Sequence, residues 1–338
     1  MPINRQWVLR HRPTGEIGPD DLELIESVTP ELKDGEVLVR ILYLSLDPTN
    51  RIWMSDQDQY LPPVQIGEVM RGGVIGVVEQ SRSAGLPVGA IVNPGLGGWQ
   101  DYTVAPEAMA RRTPHIPGVP LTAYMSVLGA TGLTAYFGLM DIGKPQPGET
   151  VVVSAAAGAV GSIVGQIAKL KGCRVIGIAG GPEKCRWITQ DLGFDGAIDY
   201  KSEDVSEALG RLAPNGVDIN FENVGGKVMD AVMGHMNNHS RMPLCGMISA
   251  YNTEGPVPGP TDFARVLMRR IHIQGFIVID YLPRAAEAMA ELAPWVASGQ
   301  IKWKAHVEDG LENAVTAVQR LFTGDHDGKL LVRVSPEH

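Results

Sequence analysis

Apolar and polar positions divide this chain into two regimes. From Glu36 to Leu46 the residues EVLVRILYLSL alternate and then saturate with apolar side chains behind a turn at Asp34-Gly35, which predicts a strand. Gly72–Gln80 and Val88–Asn93 predict further strands between glycine-rich breaks, so the first part reads as a β-rich, partly open barrel or sandwich. Near residue 120 the period changes. Apolar runs at Thr150–Ser154, Arg174–Ala179, Ala197–Asp199, Val217–Asn223, Met242–Ile248 and His272–Val278 predict six strands. Helical periods lie between most of them, at Val160–Lys171, Pro182–Leu192, Ser202–Leu212 and Lys227–Met236. Strands alternating with helical crossovers predict an α/β fold with a doubly wound parallel sheet of the Rossmann type. Another helix is expected over Pro283–Ser298, stopped by Gly299, after which the pattern is mixed.

The 338 residues, 44% hydrophobic and 20% charged, suffice for two domains and a large core. Twenty-nine cationic against 38 acidic residues leave a net charge of −9 with no basic block, which argues against nucleic acid or an anionic membrane as partner. Cys173, Cys185 and Cys245 form no CxxC pair and are too few for a disulfide framework, so a reducing cytoplasm is expected. The charged start, MPINRQWVLRHRP, does not read as a signal peptide. Two uncharged runs, Thr113–Met140 and Thr150–Ala168, are interrupted by prolines or built from small residues, including the GxxxG of Gly161 and Gly165. Membrane spans need about 20 strongly apolar residues, so both runs read as buried soluble structure.

The strongest motif is TVVVSAAAGAVG, Thr150 to Gly161. A β-branched run, a small-residue turn and a helical pattern place Ala156, Gly158 and Gly161 on the G-x-G-x-x-G spacing of a dinucleotide site, with Ala in the first position. Gly158 lets backbone amides approach a pyrophosphate at a helix N-terminus, and Gly161 lets helix and strand pack closely. The turn residues Ala157, Gly158, Ala159, Val160 and Gly161 are the expected cofactor contacts. An NAD site places an acid at the end of the second strand, but RVIGIAG ends at Gly180-Gly181, followed by Lys184 and Arg186. NADPH is therefore favoured, with Glu183 as the counter-indication and a solvated helix face as the bland alternative for the two cations.

At this point the chain resembles the medium-chain dehydrogenase/reductase superfamily, and within it the zinc-free prostaglandin, alkenal double-bond and curcumin reductases. The resemblance rests on LYLSLDP (Leu42–Pro48), GATGLTAYFGL (Gly129–Leu139), AAAGAVG (Ala155–Gly161), ENVGG (Glu222–Gly226), CGMISAYN (Cys245–Asn252) and FIV (Phe276–Val278). It implies a GroES-like catalytic domain from residues 1–122 and 300–338, a Rossmann domain from 123–299, and a homodimer. It makes Thr134, Gly180, Asn223, Cys245, Gly246, Ile248 and Tyr251 cofactor contacts, gives the 2′-phosphate to Lys184 and Tyr200, and sets Phe276 and Val278 beside the nicotinamide. Zinc-dependent relatives carry His before Glu and a four-cysteine lobe, whereas this chain reads Gly67-Glu68-Val69 and has no cysteine before Cys173, so no metal is expected. His235 and His239 have helical i, i+4 spacing, but without a third ligand a surface or structural role is the expectation.

With no metal, a conjugated carbonyl supplies the electrophile: hydride adds at the β-carbon and charge gathers on oxygen, where a hydrogen-bond donor stabilises it. Tyr251 is the catalytic candidate, its phenol neutral at pH 7; a lining aromatic is the alternative. Tyr60 is a second candidate, or a lid. Tyr43, Thr49, Arg51, Trp53, Tyr60 and Tyr281 are candidate substrate residues, with Met54 beside them, and ordinary core is an equal reading for Tyr43, Trp53, Met54 and Tyr281. Relatives read DPYMRGRM where this chain has Thr49 and Trp53, so specificity does not transfer. They also carry Asn where this chain has His326, which leaves a cofactor contact there open. The expected activity is reduction of small unsaturated carbonyl substrates. The alternatives are a zinc-free quinone reductase or a non-catalytic NADPH-binding sensor or scaffold.

Overall fold

The computed structural model describes residues 2–253 and 255–337. The chain forms two compact units, Met1–Met125 with Ala305–His338, and Ser126–Lys304.

The chain opens with β1 (Ile3–Leu9), β2 (Leu22–Val28), β3 (Glu36–Ser45), α1 (Thr49–Trp53), β4 (Val74–Ser81), β5 (Ile91–Asn93), β6 (Tyr102–Pro106), β7 (Arg111–Arg112) and α2 (Leu121–Tyr124). The second unit holds α3 (Ala130–Phe137), β8 (Thr150–Val153), α4 (Ala159–Leu170), β9 (Arg174–Ala179), α5 (Pro182–Arg186), β10 (Gly196–Asp199), α6 (Val205–Leu212), β11 (Val217–Phe221), α7 (Gly226–His235), β12 (Met236–Leu244), α8 (Ala264–Arg269), β13 (His272–Gly275) and α9 (Ala285–Ala297). The chain then returns to the first unit as β14 (Ala305–Asp309), α10 (Ala314–Thr323) and β15 (Lys329–Arg333).

In the first unit β3 is central. It is antiparallel to β4, β6 and β15 in a sheet ordered β14-β15-β3-β4-β5-β7, with β6 off that path. Its long apolar run is explained by burial on both faces: Leu44 and Ile41 join a core with Leu9, Trp53, Met54, Trp99 and Val318, while Val37 and Val39 pack with Val78 and Val92. The C-terminal strand also fastens the start of α1. Lys329, 1% exposed, donates from Nζ to Leu46 O at 2.8 Å and pairs with Asp47 Oδ1 at 2.5 Å. Asp47 N–H donates to Asn50 Oδ1, and Asn50 Nδ2 donates to Arg71 O. A lysine this deep is tolerable only because a carboxylate and a carbonyl replace its water.

The second unit is the doubly wound sheet that the sequence predicts, ordered β10-β9-β8-β11-β12-β13, with every pair parallel. The chain reverses direction across the sheet between β8 and β11, the switch point where such sheets bind ligands. Its interior includes Val152, Ile176, Ile198, Leu209, Val217, Val232 and Met242.

Several elements differ from the sequence expectation. The fifth strand runs from Met236, not Met242, and ends at Leu244. Between the pairs Val217↔Met236 and Ile219↔Arg241 it bulges, with His239 at φ 62 and Asn237 bonded to Asn215 O and Asp218. His235 and His239 therefore do not share a helix: α7 stops at His235, whose Nε2 meets Ser206 Oγ at 2.9 Å. The helix expected over Pro182–Leu192 is α-helical only to Arg186 and widens to a π-helix over Trp187–Asp191. β13 stops at Gly275, leaving Phe276 and Val278 beyond the strand. Among the described residues no helix is long and apolar enough to cross a membrane.

Candidate active site

In the second unit the fingerprint forms a tight turn at the end of β8. Gly158 caps α4 in an extended conformation and no side chain closes the helix end, so its first amides remain available to an anion. Space requires a glycine at 161 and leaves little room for a side chain at 158. A Cβ at Gly161 would lie 2.5 Å from Ala155 O and 2.9 Å from Ala156 Cα, and one at Gly158 would lie 3.1 Å from Ala155 O. Ala155 itself sits at φ 49, a left-handed conformation unusual for alanine, which turns the chain out of the strand. Ala157, Ala159 and Val160 complete the turn and the start of the helix. This half-buried, small-residue helix end fits a pyrophosphate.

The neighbouring strand ends reinforce the turn. Ser154 and Glu222, at the ends of β8 and β11, are both fully buried, and Ser154 Oγ donates to Glu222 Oε1 at 2.8 Å. The same carboxyl accepts from Val224 N at 2.7 Å, Gly225 N at 2.9 Å and Asn220 Nδ2 at 3.0 Å. Burial pushes the Glu222 carboxyl above its ordinary range, and these donors pull against that rise. Asn223 is thereby held with its N–H on Ser154 Oγ and its Nδ2 donating to Ser154 O at 2.7 Å. The amides of Cys245 and Gly246 both donate to Glu222 O, and that of Ile248 to Asn223 O, so the CGMIS segment is tied to the same strand end. Burial pushes the Cys245 thiol up to about 12, with help from Glu222, which leaves it unreactive at neutral pH.

Tyr251 closes the short 3₁₀ turn Ile248–Ala250, and its phenol oxygen accepts from Met247 N–H at 3.1 Å. A phenol that accepts from an amide is polarised toward donating its own proton. Gly246 makes room for it, because a Cβ there would lie 3.0 Å from the hydroxyl. Thr134, on α3, turns its hydroxyl back to Ala130 O at 2.8 Å. At the end of β9, Gly180 lies against the half-exposed Tyr200, where a Cβ would come within 2.9 Å of the ring. Asp199 accepts the Gly181 and Lys201 amides, and these bonds hold its carboxyl below the usual range. That carboxylate is engaged with the loop, Glu183 is exposed on α5, and Lys184 follows it on the same turn. Phe276 packs edge-on to Phe221 and Tyr281, and Tyr281 stacks on Phe137 at 4.7 Å. Tyr281 thus belongs to an aromatic cluster within this unit, with Arg284 over it. Val278 follows Phe276 at the start of the next 3₁₀ segment.

In the first unit the expected substrate residues separate. Arg51, 4% exposed, donates to Pro13 O and Gly15 O at 2.9 Å each, which anchors the N-terminal segment. Tyr43 is buried, with its hydroxyl on Glu337 and its titration pushed up to about 12 by burial and that carboxylate. Met54 is core. Tyr43 and Met54 thus take the core place that the sequence held open as an equal reading, and Arg51 is engaged by backbone carbonyls of a distant segment. Thr49, Trp53 and Tyr60 do meet. Tyr60 OH bonds to Thr49 Oγ1 and accepts from Trp53 Nε1 at 3.1 Å. His326 contacts Arg320 O through Nδ1 at 3.1 Å.

Comparison with known proteins settles the family. Residues 5–112 match the family described as N-terminal domain of oxidoreductase, and residues 159–298 the family described as zinc-binding dehydrogenase. The chain is 45% identical over 337 residues to the NADPH-dependent curcumin reductase of Escherichia coli (strain K12), covering 98% of this chain and 97% of that protein. It belongs to the zinc-free reductase group of the medium-chain dehydrogenase/reductase superfamily. The reductase is also 39% identical over 340 residues to the 2-alkenal reductase (NADP(+)-dependent) of Nicotiana tabacum, covering 99% of this chain and 98% of that one. Among solved structures it resembles CurA in complex with NADPH from Vibrio vulnificus, with a TM-score of 0.93 and 46% identity over 98% and 99% of the two chains.

Although one matching family is named for zinc, among the described residues of this reductase no three His, Cys, Asp or Glu side chains gather into a group that could hold a metal ion. Glu68 lies in an exposed turn and accepts from Gln65 N–H at 2.9 Å. Sequence reasoning missed Ser154, Glu222 as a buried acceptor, and Lys329. The signal for the first two was a polar residue ending an otherwise apolar strand. For Lys329 there was none, because its partners lie more than 280 residues away.

Proposed function

We propose that this reductase uses NADPH to saturate the C=C bond of α,β-unsaturated aldehydes and ketones. Bound NADPH would supply the hydride that adds to the β-carbon. The chain's own part is to seat the pyrophosphate on the open end of α4, to order the 222–226 turn through Glu222, and to present the Tyr251 proton to the carbonyl oxygen as charge develops there. The observation that carries the reading is the seating of the Tyr251 phenol, whose oxygen accepts from Met247 N–H at 3.1 Å within the segment tied to the Glu222 strand end. Curcumin and 2-alkenal, the substrates named for the two curated relatives, are both conjugated carbonyls. On this reading the Rossmann unit binds the cofactor, and the β-rich unit contributes to substrate binding.

The test is NADPH oxidation with a 2-alkenal, a benzylidene ketone and a quinone, with the product checked for a saturated C–C bond. Turnover of the quinone alone would make the protein a quinone reductase, and binding of NADPH without any turnover would make it a sensor or scaffold. Tyr251→Phe is expected to lower kcat by about tenfold or more while leaving NADPH affinity nearly unchanged. An unaltered kcat, with chemistry shown to be rate-limiting, removes Tyr251 from the reaction.

Lys184 follows the end of a strand that carries no ribose acid, and Tyr200 stands against Gly180 at that same end. We assign both to the 2′-phosphate. Lys184→Ala should weaken NADPH binding at least about tenfold, or about 1.4 kcal/mol, in a fluorescence titration and barely change NADH binding. Equal losses for the two dinucleotides would contradict the assignment.

A further inference from the structure

Thr49 and Trp53 lie at opposite ends of the short helix α1 and converge on one atom, the phenol oxygen of Tyr60. Trp53 is 6% exposed and its indole is fixed in the core beside Met54 and Val64. An indole N–H can only donate, so Trp53 always occupies a lone pair of the Tyr60 oxygen. A threonine hydroxyl can either donate or accept, so two arrangements exist. In one, Tyr60 donates to Thr49. In the other, Thr49 donates to Tyr60, the phenol oxygen accepts twice, and the phenol proton points away from both partners. An oxygen that accepts two hydrogen bonds is itself a stronger donor, because the bonds polarise one another. A carbonyl oxygen only accepts, so it selects the second arrangement.

The rest of the neighbourhood holds this group in place. Asp47, which sets the start of α1, is pinned by Lys329 and by Ser45. Arg71 lies 5.5 Å from the Trp53 ring centroid and donates to Pro62 O at 3.0 Å, on the segment that follows Tyr60. Tyr60 is 40% exposed, so its hydroxyl is held on the protein side while the residue remains reachable. Burial raises its titration above the ordinary phenol value and Asp47 adds to that, whereas the Thr49 and Trp53 bonds and the Arg71 charge oppose it.

We infer that Thr49 and Trp53 are positioning residues that aim the Tyr60 O–H at an acceptor oxygen of the substrate, making Tyr60 a substrate-binding donor and not a passive lid. This rests on the conjugated-carbonyl reading above. Together the two side chains set the direction of one proton.

The test combines kinetics with a measurement that needs no turnover. Thr49→Val and Trp53→Phe should each lower kcat/KM for a 2-alkenal about fivefold, chiefly through KM, with NADPH affinity unchanged, and Thr49→Ser should restore the wild-type value. In a Tyr60→Phe background neither change should have any further effect, since the atom they act on is gone. Independently, in the 15N–1H spectrum of the whole chain, the Trp53 indole proton, assigned from its loss in Trp53→Phe, should move upfield in Tyr60→Phe and shift in Thr49→Val. Full additivity with Tyr60→Phe, or an indole signal indifferent to Tyr60, overturns the inference. If the wild type reduces no conjugated carbonyl at all, the proposed function falls, while the indole signal still decides whether the three side chains act together.

Discussion

Replacing Gly161 with alanine should cost this reductase both stability and its dinucleotide. The added methyl would sit 2.5 Å from the carbonyl oxygen of Ala155 and within 3.0 Å of the Ala155 carbonyl carbon. These are backbone atoms of the turn itself, so no side-chain rotation relieves the clash. Helix α4 must tilt away from β8, which moves the Gly158 end of the helix where the pyrophosphate would sit. Overpacking of this kind costs about 1–3 kcal/mol, read as a lower urea midpoint at an unchanged slope. NADPH affinity should fall as well, by roughly a hundredfold if the misplaced amides lose about 2.7 kcal/mol of binding. Gly234→Ala is the control. Gly234 is in α7, and a Cβ there meets nothing within 4 Å. That change should leave NADPH binding alone and stabilise the fold by about 0.5–1 kcal/mol through helix propensity. Normal NADPH binding by Gly161→Ala would show that the turn does not carry the phosphate.

The second large effect is expected at Glu222. Its carboxyl is fully buried and receives four donors, two of them the amides that open the 222–226 turn. Glu222→Leu fills the volume but leaves the Val224 and Gly225 N–H groups without an acceptor and the Ser154 hydroxyl with only the long contact to Phe221 O at 3.5 Å. Each such loss costs about 1–3 kcal/mol, so a total of order 3–5 kcal/mol should appear in urea unfolding. Glu222→Gln should behave differently. Its carbonyl can keep the Ser154, Val224 and Gly225 bonds, and its NH2 would face Asn220, whose Oδ1 is buried without a partner among the described residues. A half-turn of the Asn220 amide converts a donor–donor clash into a hydrogen bond, so the glutamine variant should lie within about 1 kcal/mol of wild type. Equal destabilisation by Gln and Leu would mean that the negative charge, and not the acceptor geometry, holds the turn. Because Asn223 is held through Ser154, the leucine variant should also weaken NADPH binding.

Much of the cofactor-binding unit was legible from one sequence because its determinants are local. Six mainly apolar runs at the right spacing specify six strands, and a glycine pair between strand and helix specifies the turn. Legibility failed where a residue's role depends on chain far away. Arg51 was read as a possible substrate contact and Tyr43 as either that or core, and nothing local in the sequence shows that Arg51 donates to the carbonyls of Pro13 and Gly15 or that Tyr43 meets Glu337. The start of β12 was missed because a bulge around His239, paid for by Asn237 bonds to the preceding loop, lets a polar stretch run as strand.

The sequence by itself determined the fold class, the position of the glycine turn between β8 and α4 and the absence of an acid at the end of the second strand, since each depends on residues within a few positions of one another. Only the tertiary structure decided that Lys329 secures Asp47, that Glu222 gathers the ends of two strands, and that Thr49 and Trp53 share the Tyr60 hydroxyl. The reason is physical. Period and turn chemistry act along the chain over short range, whereas a buried polar group takes whichever partner folding brings within 3 Å, and sequence distance places no limit on that choice.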